Sequence, residues 1–135
     1  MAERYQMVVF TNGCFDILHI GHLRLLEYCR SLGGIVVVGL NSDESIWGLK
    51  GRSRPINNQA DRTHFLSSLR TVDSVVVFDE PTPLRLIERI RPDIIVKGGD
   101  YQPHEVVGHG LAEVKIFGTV EGYSTTRIIH DISHR

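Results

Sequence analysis

Cysteine, lysine and long apolar runs are all scarce in this chain of 135 residues, and each scarcity excludes something. The two cysteines, Cys14 and Cys29, stand at no metal-binding spacing and build no disulfide framework, so a reduced, cytoplasmic setting is the simpler expectation. No apolar stretch approaches the ~18 residues of a membrane span. Residues Met1–Gln6 lack the apolar core of a signal peptide, and no membrane partner is expected. Lysine supplies three of the 15 basic residues and arginine twelve, against 16 acidic residues and a net charge of −1. A general nucleic-acid binder shows a basic face, so no nucleic-acid partner is expected either. Arginine instead suits bidentate contact with phosphate.

Both common glycine-rich phosphate loops are missing. No G-x-G-x-x-G follows the first apolar run, and no G-x-x-x-x-G-K-[ST] occurs anywhere. Repeats, low-complexity segments and linkers are missing too, so residues 1–135 read as a single domain.

What is present is strict alternation. Strands are expected at Met7–Thr11, Ile35–Leu40, Ser74–Phe78, Asp93–Lys97 and Glu113–Phe117, with helices at 22–32, 43–49, 58–70, 83–91 and 124–132. Runs such as Ile35–Val38 and Val75–Val77 read as strands covered on both faces. Thr82 reads as an N-cap with Pro83 at the first helical position, and Arg91-Pro92 as the stop. The pattern is that of an α/β, doubly wound, Rossmann-like domain: a five-stranded parallel sheet with helices on both faces. Ligands in such sheets bind beyond the carboxyl ends of the strands, and the motifs fall there.

The first motif, residues 11–22, ends in His19-Ile20-Gly21-His22 where a strand hands over to a helix. Such a start offers unpaired N–H groups and the positive end of the helix dipole. Gly21 allows close approach of an anion, and the imidazoles add donors. In isolation the same residues read as a solvated helix start or half a metal site. Lys50–Pro55 follows, with three cations able to clamp a triphosphate, or simply a solvated loop. Lys50 is the preferred phosphate contact. Arg62, within a helix, reads alone as a surface residue. Val96-Lys97-Gly98-Gly99-Asp100-Tyr101 at the end of the fourth strand suits a base or ribose, with Asp100 as acceptor, and equally suits a plain turn. Glu121–Thr126 opens the last helix as an anion site, or Ser124 is just its cap. His130 and His134 lack the glutamate of a zinc HExxH site.

Together these residues resemble the cytidylyltransferase-like nucleotidyltransferases from about Val8 to Ile132, through GCFDILHIGH at 13–22, Arg62, LRTVDSVV at 69–76 and EGYSTT at 121–126. Within that family, TNGCFDILHIGH, LNSDES, KGRSRPIN, DEPTPLRLIERIRPDIIVKGGDY and EVVG are similar to heptose 1-phosphate adenylyltransferases. Those also occur as one half of a bifunctional kinase/adenylyltransferase; without the kinase half, a stand-alone transferase is expected. The resemblance implies transfer of AMP from ATP to a heptose 1-phosphate for bacterial surface polysaccharide. It implies His19, His22, Lys50 and Arg62 as catalytic residues. It implies a nucleotide site of Thr11, Asn12, Gly13, Cys14, Phe15, Asp16, Gly21, Gly98, Asp100, Glu121, Ser124, Thr125 and Thr126. Mg²⁺ near Asp16 and a homodimer are also implied. A cytidylyl- or guanylyltransferase acting on another sugar phosphate or on glycerol 3-phosphate is the neighbouring expectation. Thr119 where glycerol-phosphate enzymes carry Arg, and Gly99 where they tend to carry Asp, weaken it. A non-catalytic nucleotide-binding regulator is the expectation from another class.

Overall fold

The computed structural model describes residues 6–118 together with 129, 130 and 132. Its strands are β1 (Val8–Gly13), β2 (Ile35–Asn41), β3 (Ser74–Phe78), β4 (Ile94–Gly98) and β5 (Glu113–Phe117). They form one sheet in the order β3-β2-β1-β4-β5, with every neighbouring pair parallel. Between them lie α1 (Ile20–Ser31), α2 (Asp43–Lys50), α3 (Gln59–Ser67) and α4 (Leu84–Ile90), and a 3-10 turn, Pro103–Glu105, precedes β5.

The two-residue period of a strand divides its side chains between two cores. Val9, Val36, Val38, Ile94 and Val96 pack with Leu25, Leu26 and Cys29 of α1 and Leu66 of α3. Phe10 and Ile95 face the other way, onto Leu86 and Ile87 of α4. Both faces are covered, which is why the β2 and β4 sequences are apolar without alternation. Burial pushes the Cys29 thiol up to about 12, so this cysteine is a packing residue.

The chain winds outward from β1 to β3, then crosses back to place β4 on the other side of β1. The carboxyl end of β1 is therefore the point where the winding reverses, the usual ligand crevice of an open α/β sheet. The opposite end is pinned by aspartates. Asp73 Oδ2 accepts from Val36 N and Asp93 Oδ2 from Val8 N, each at 2.8 Å. Asp93, expected as the first residue of the fourth strand, instead precedes it as that pin.

Helix bounds shift for local reasons. The helix expected at 58–70 closes at Ser67: Ser68 N shares its bond between His64 O at 3.1 Å and Phe65 O at 3.3 Å, and Leu69 N bonds Leu66 O at 3.1 Å, tightening the chain. At α4 the first helical bond is Ile87 N to Pro83 O, 2.9 Å, so Pro83 is itself the N-cap. Thr82 Oγ1 still accepts from Leu84 N, at 3.4 Å. Arg91 ends α4 in the left-handed region (φ 52) just before Pro92. Of the helix expected at 124–132, residues 129, 130 and 132 are helical and the others lie outside the described residues.

Candidate active site

Thr11, Asn12 and Gly13 are the last residues of β1, paired with Val38, Gly39 and Leu40 of β2. Thr11 is buried and belongs to the sheet's packing. From there the chain turns through Cys14–Leu18 into α1, which begins earlier than the expected residue 22. His19 is the N-cap: its Nδ1 accepts from Gly21 N at 3.0 Å. His22 reaches back, its Nδ1 accepting from His19 N at 3.2 Å, and the rings stack with centroids 3.9 Å apart. The two imidazoles thus form a reciprocal capping box, a role usually taken by Ser/Thr with Glu.

The protonation state follows from that geometry. An Nδ1 that accepts a backbone N–H carries no proton, so each neutral ring holds its proton on Nε2 and is a donor there. Burial lowers the pKa of His22 to about 4, with repulsion from His19 adding to it, and burial lowers that of His19 as well. Near pH 7 both rings are neutral hydrogen-bond donors rather than cations.

Phe15 holds a left-handed conformation (φ 45), costly for a bulky residue, while almost fully buried. Its ring lies 5.2 Å from that of His22 and against Gly13, where an added Cβ would come within 3.1 Å of Phe15 Cε2. Asp16 departs from its expected place beside a metal. Its carboxylate accepts from Ile56 N at 2.8 Å, Asn57 N at 2.8 Å and Arg54 Nε at 3.3 Å. Both oxygens are occupied, and Asp16 latches the loop after β1 to the loop after α2. Among the described residues no three His, Cys, Asp or Glu side chains gather into a metal-binding group. A Mg²⁺ held mainly by the oxygens of a triphosphate needs no such group.

Arg62 also departs from its expected role on phosphate. It is fully buried, and its guanidinium is spent on the protein. Nε donates to Asn57 O at 3.0 Å, Nη1 to Cys14 O at 2.8 Å and Asn41 O at 2.7 Å, and Nη2 to Asp43 Oδ1 at 2.7 Å. One side chain thus ties the ends of β1 and β2, the start of α2 and the loop before α3. The three cations expected to clamp a triphosphate diverge as well. Arg54 is held by Asp16, Arg52 lies over the Trp47 ring at 5.2 Å, and Lys50 is exposed in the last turn of α2.

At the end of β4, Gly99 has φ 115, a conformation that favours glycine, and its N–H bonds Phe117 O at 2.9 Å. Gly98 has room for a Cβ, which would make only ordinary contacts 3.7 Å from Leu25. Asp100 is exposed. Half-buried Lys97 sits over the Tyr101 ring at 5.1 Å. Glu121, Ser124, Thr125 and Thr126 lie outside the described residues.

A family model described as cytidylyltransferase-like matches residues 10–131, nearly the whole chain. The chain belongs to the cytidylyltransferase-like family. Among curated members it is similar to the bifunctional protein HldE of Syntrophotalea carbinolica, 54% identical over an alignment 138 residues long that covers 98% of this chain and 28% of that protein. The HldE protein of Campylobacter concisus is 59% identical over 126 residues, 93% of this chain and 27% of the relative. The chain therefore spans about a quarter of the length of these relatives. Of solved structures, the lipopolysaccharide core biosynthesis protein of Thermoplasma volcanium GSS1 superposes with a TM-score of 0.71 at 28% identity, covering 89% of this chain and 100% of its own. Pantoate-beta-alanine ligase of Francisella tularensis, with a TM-score of 0.64, 16% identity and coverage of 96% and 72%, shares the fold.

Within the family's fold, the described site residues sort into two groups. His19, His22 and Gly21 line the start of α1, while Asp16, Arg54, Asn57 and Arg62 bind loops to one another. Asn57 and Asp43 carry no signal in sequence, because their partners are 41 and 19 residues away.

Proposed function

We propose that this chain is a nucleotidyltransferase that moves AMP from ATP onto a heptose 1-phosphate and releases pyrophosphate. The observation that carries the reading is the neutral His19–His22 pair opening α1 where the sheet's winding reverses. A phosphate monoester is largely dianionic at neutral pH (second pKa about 6), so the nucleophile needs no general base. A sugar-phosphate oxygen forms a bond to the α-phosphorus, the bond from that phosphorus to the bridging oxygen breaks, and its electron pair leaves with pyrophosphate. The obstacle is anion meeting anion. Positioning, together with donors aimed at the departing charge, lowers that barrier. The Nε2–H groups of His19 and His22 supply such donors without the cost of holding two adjacent cations.

Similarity to HldE proteins and to a lipopolysaccharide core biosynthesis protein supports heptose as the sugar and surface polysaccharide as the destination. Exposed Lys50, Asp100 with the nucleoside, Ser124–Thr126 on the outer phosphates and Mg²⁺ accompanying the triphosphate complete the proposal. A cytoplasmic setting fits the free thiols of Cys14 and Cys29, and among the described residues no helix is long and apolar enough to cross a membrane. A homodimer through the 69–76 segment and the β3 edge, where Phe65 and Val77 are exposed, belongs to the same reading.

The test is pyrophosphate release with Mg²⁺ across ATP, CTP, GTP and UTP, each against heptose 1-phosphate anomers and glycerol 3-phosphate. Turnover with ATP and a heptose 1-phosphate is expected. Turnover only with another pair keeps the chemistry and replaces the substrate. No release from folded protein that binds nucleotide replaces the enzyme with a regulator.

A further inference from the structure

Four described lysines and arginines are not fully exposed, and three of them meet an acid. Arg54 pairs with Asp16 at 3.3 Å, Arg62 with Asp43 at 2.7 Å and Lys115 with Glu113 at 3.3 Å. Lys97 is the exception, half-buried with no carboxylate in ion-pair reach among the described residues. What it has instead is the face of Tyr101, 5.1 Å from the ring centroid. An aromatic face softens the loss of water without neutralising the charge. Burial accordingly lowers the Lys97 pKa, with a smaller opposing effect from the Cys14 sulfur.

Its face of the sheet matters. Val96 packs into the α1-side core and Ile95 into the α4-side core, so the alternation puts Lys97 on the α4 side. The His19–His22 pair opens the helix on the other side. In displacement at phosphorus, attacking and leaving oxygens lie roughly in line, so the incoming and departing anions need separate partners on opposite flanks. The imidazoles and the start of α1 suit the departing pyrophosphate. A cation kept partly out of water and without an acid suits the incoming dianion, unlike exposed Lys50 and Arg52, which water already solvates.

We propose that Lys97 binds the phosphate of the acceptor sugar and presents its oxygen to the α-phosphorus of the triphosphate. The inference rests on the nucleotidyltransferase reading. Lys97 keeps its proton throughout, acting as a charge and not as an acid.

The experiment compares wild type, Lys97→Met and Lys97→Arg in pyrophosphate release, titrating ATP and heptose 1-phosphate separately. Lys97→Met, which keeps the stem and loses the charge, is expected to raise KM for the sugar phosphate about 30-fold, with KM for ATP changed less than about 3-fold. Lys97→Arg should recover a large part of the loss. A raised KM for ATP with an unaltered KM for the sugar phosphate overturns the assignment while leaving the activity standing, as does no change in either. If wild type uses another acceptor, the same split is read with that acceptor. If it releases pyrophosphate with none, the functional reading falls, and inorganic phosphate titrated by calorimetry decides for Lys97. Weaker binding to Lys97→Met then supports an anion site, and equal binding overturns it.

Discussion

Arg62 and His22 stand at the same end of the sheet and both looked like phosphate contacts, yet the protein treats them in opposite ways. The arginine is charged, fully buried and committed through four hydrogen bonds to three backbone carbonyls and Asp43. The histidine is neutral, spends only Nδ1 on the backbone of His19 and keeps an Nε2–H to give. Residue type alone ranks them the other way round, since a guanidinium is the stronger phosphate ligand in general. What decides is which donors remain after the fold has been satisfied. Arg54 and Arg62 spend their charge on holding loops, and the proposed chemistry falls to groups the loops do not use.

The comparison breaks first at Arg62. Arg62→Ala leaves three carbonyls and the Asp43 carboxylate without their donor, and removing one partner of a buried pair costs about 3–5 kcal/mol. Urea unfolding should show that loss. A stability change under ~1 kcal/mol would return Arg62 to the substrate. The histidine half is sharpened by pH. His22 has a pKa of about 4 in the folded chain against an ordinary 6.5 in the unfolded one, so below 6.5 the unfolded chain takes up a proton that the folded one refuses. Stability is complete above pH 6.5 and falls as pH drops toward 4, by up to about 3 kcal/mol. Unfolding midpoints across that window should show a shallower slope in His22→Gln, and identical slopes would remove the neutral-ring account. Asp16→Asn comes next, keeping the shape of the latch but not its charge. It should destabilise by about 1.5–3 kcal/mol, the worth of hydrogen bonds to a charged group, as read by the same unfolding assay. No loss would mean that the loop at 54–57 holds itself.

Much of this architecture is legible in the chain. The β2 and β4 strands are continuous apolar runs because helices cover both faces, and the order of strands and helices follows from them. Helix α1 starts two residues before the expected position, because histidine is not among the usual caps and Gly21 is a poor helix former. The roles of Asp16 and Arg62 were not legible. Their partners lie 38 to 48 residues away in the cases of Arg54, Ile56, Asn57 and Cys14, and only the folded sheet brings those loops together. Lys97 stands in the motif at 96–101, and that it meets no carboxylate among the described residues is a property of three dimensions.

The most direct test of the division between holding and reacting groups is the turnover of His22→Ala measured beside its urea midpoint. Loss of one well-placed donor is expected to lower kcat at least ~100-fold, while the midpoint falls only by what a lost helix cap costs, about 1 kcal/mol. Turnover per folded molecule within a few-fold of wild type would contradict the account and leave the imidazole pair as nothing more than a cap.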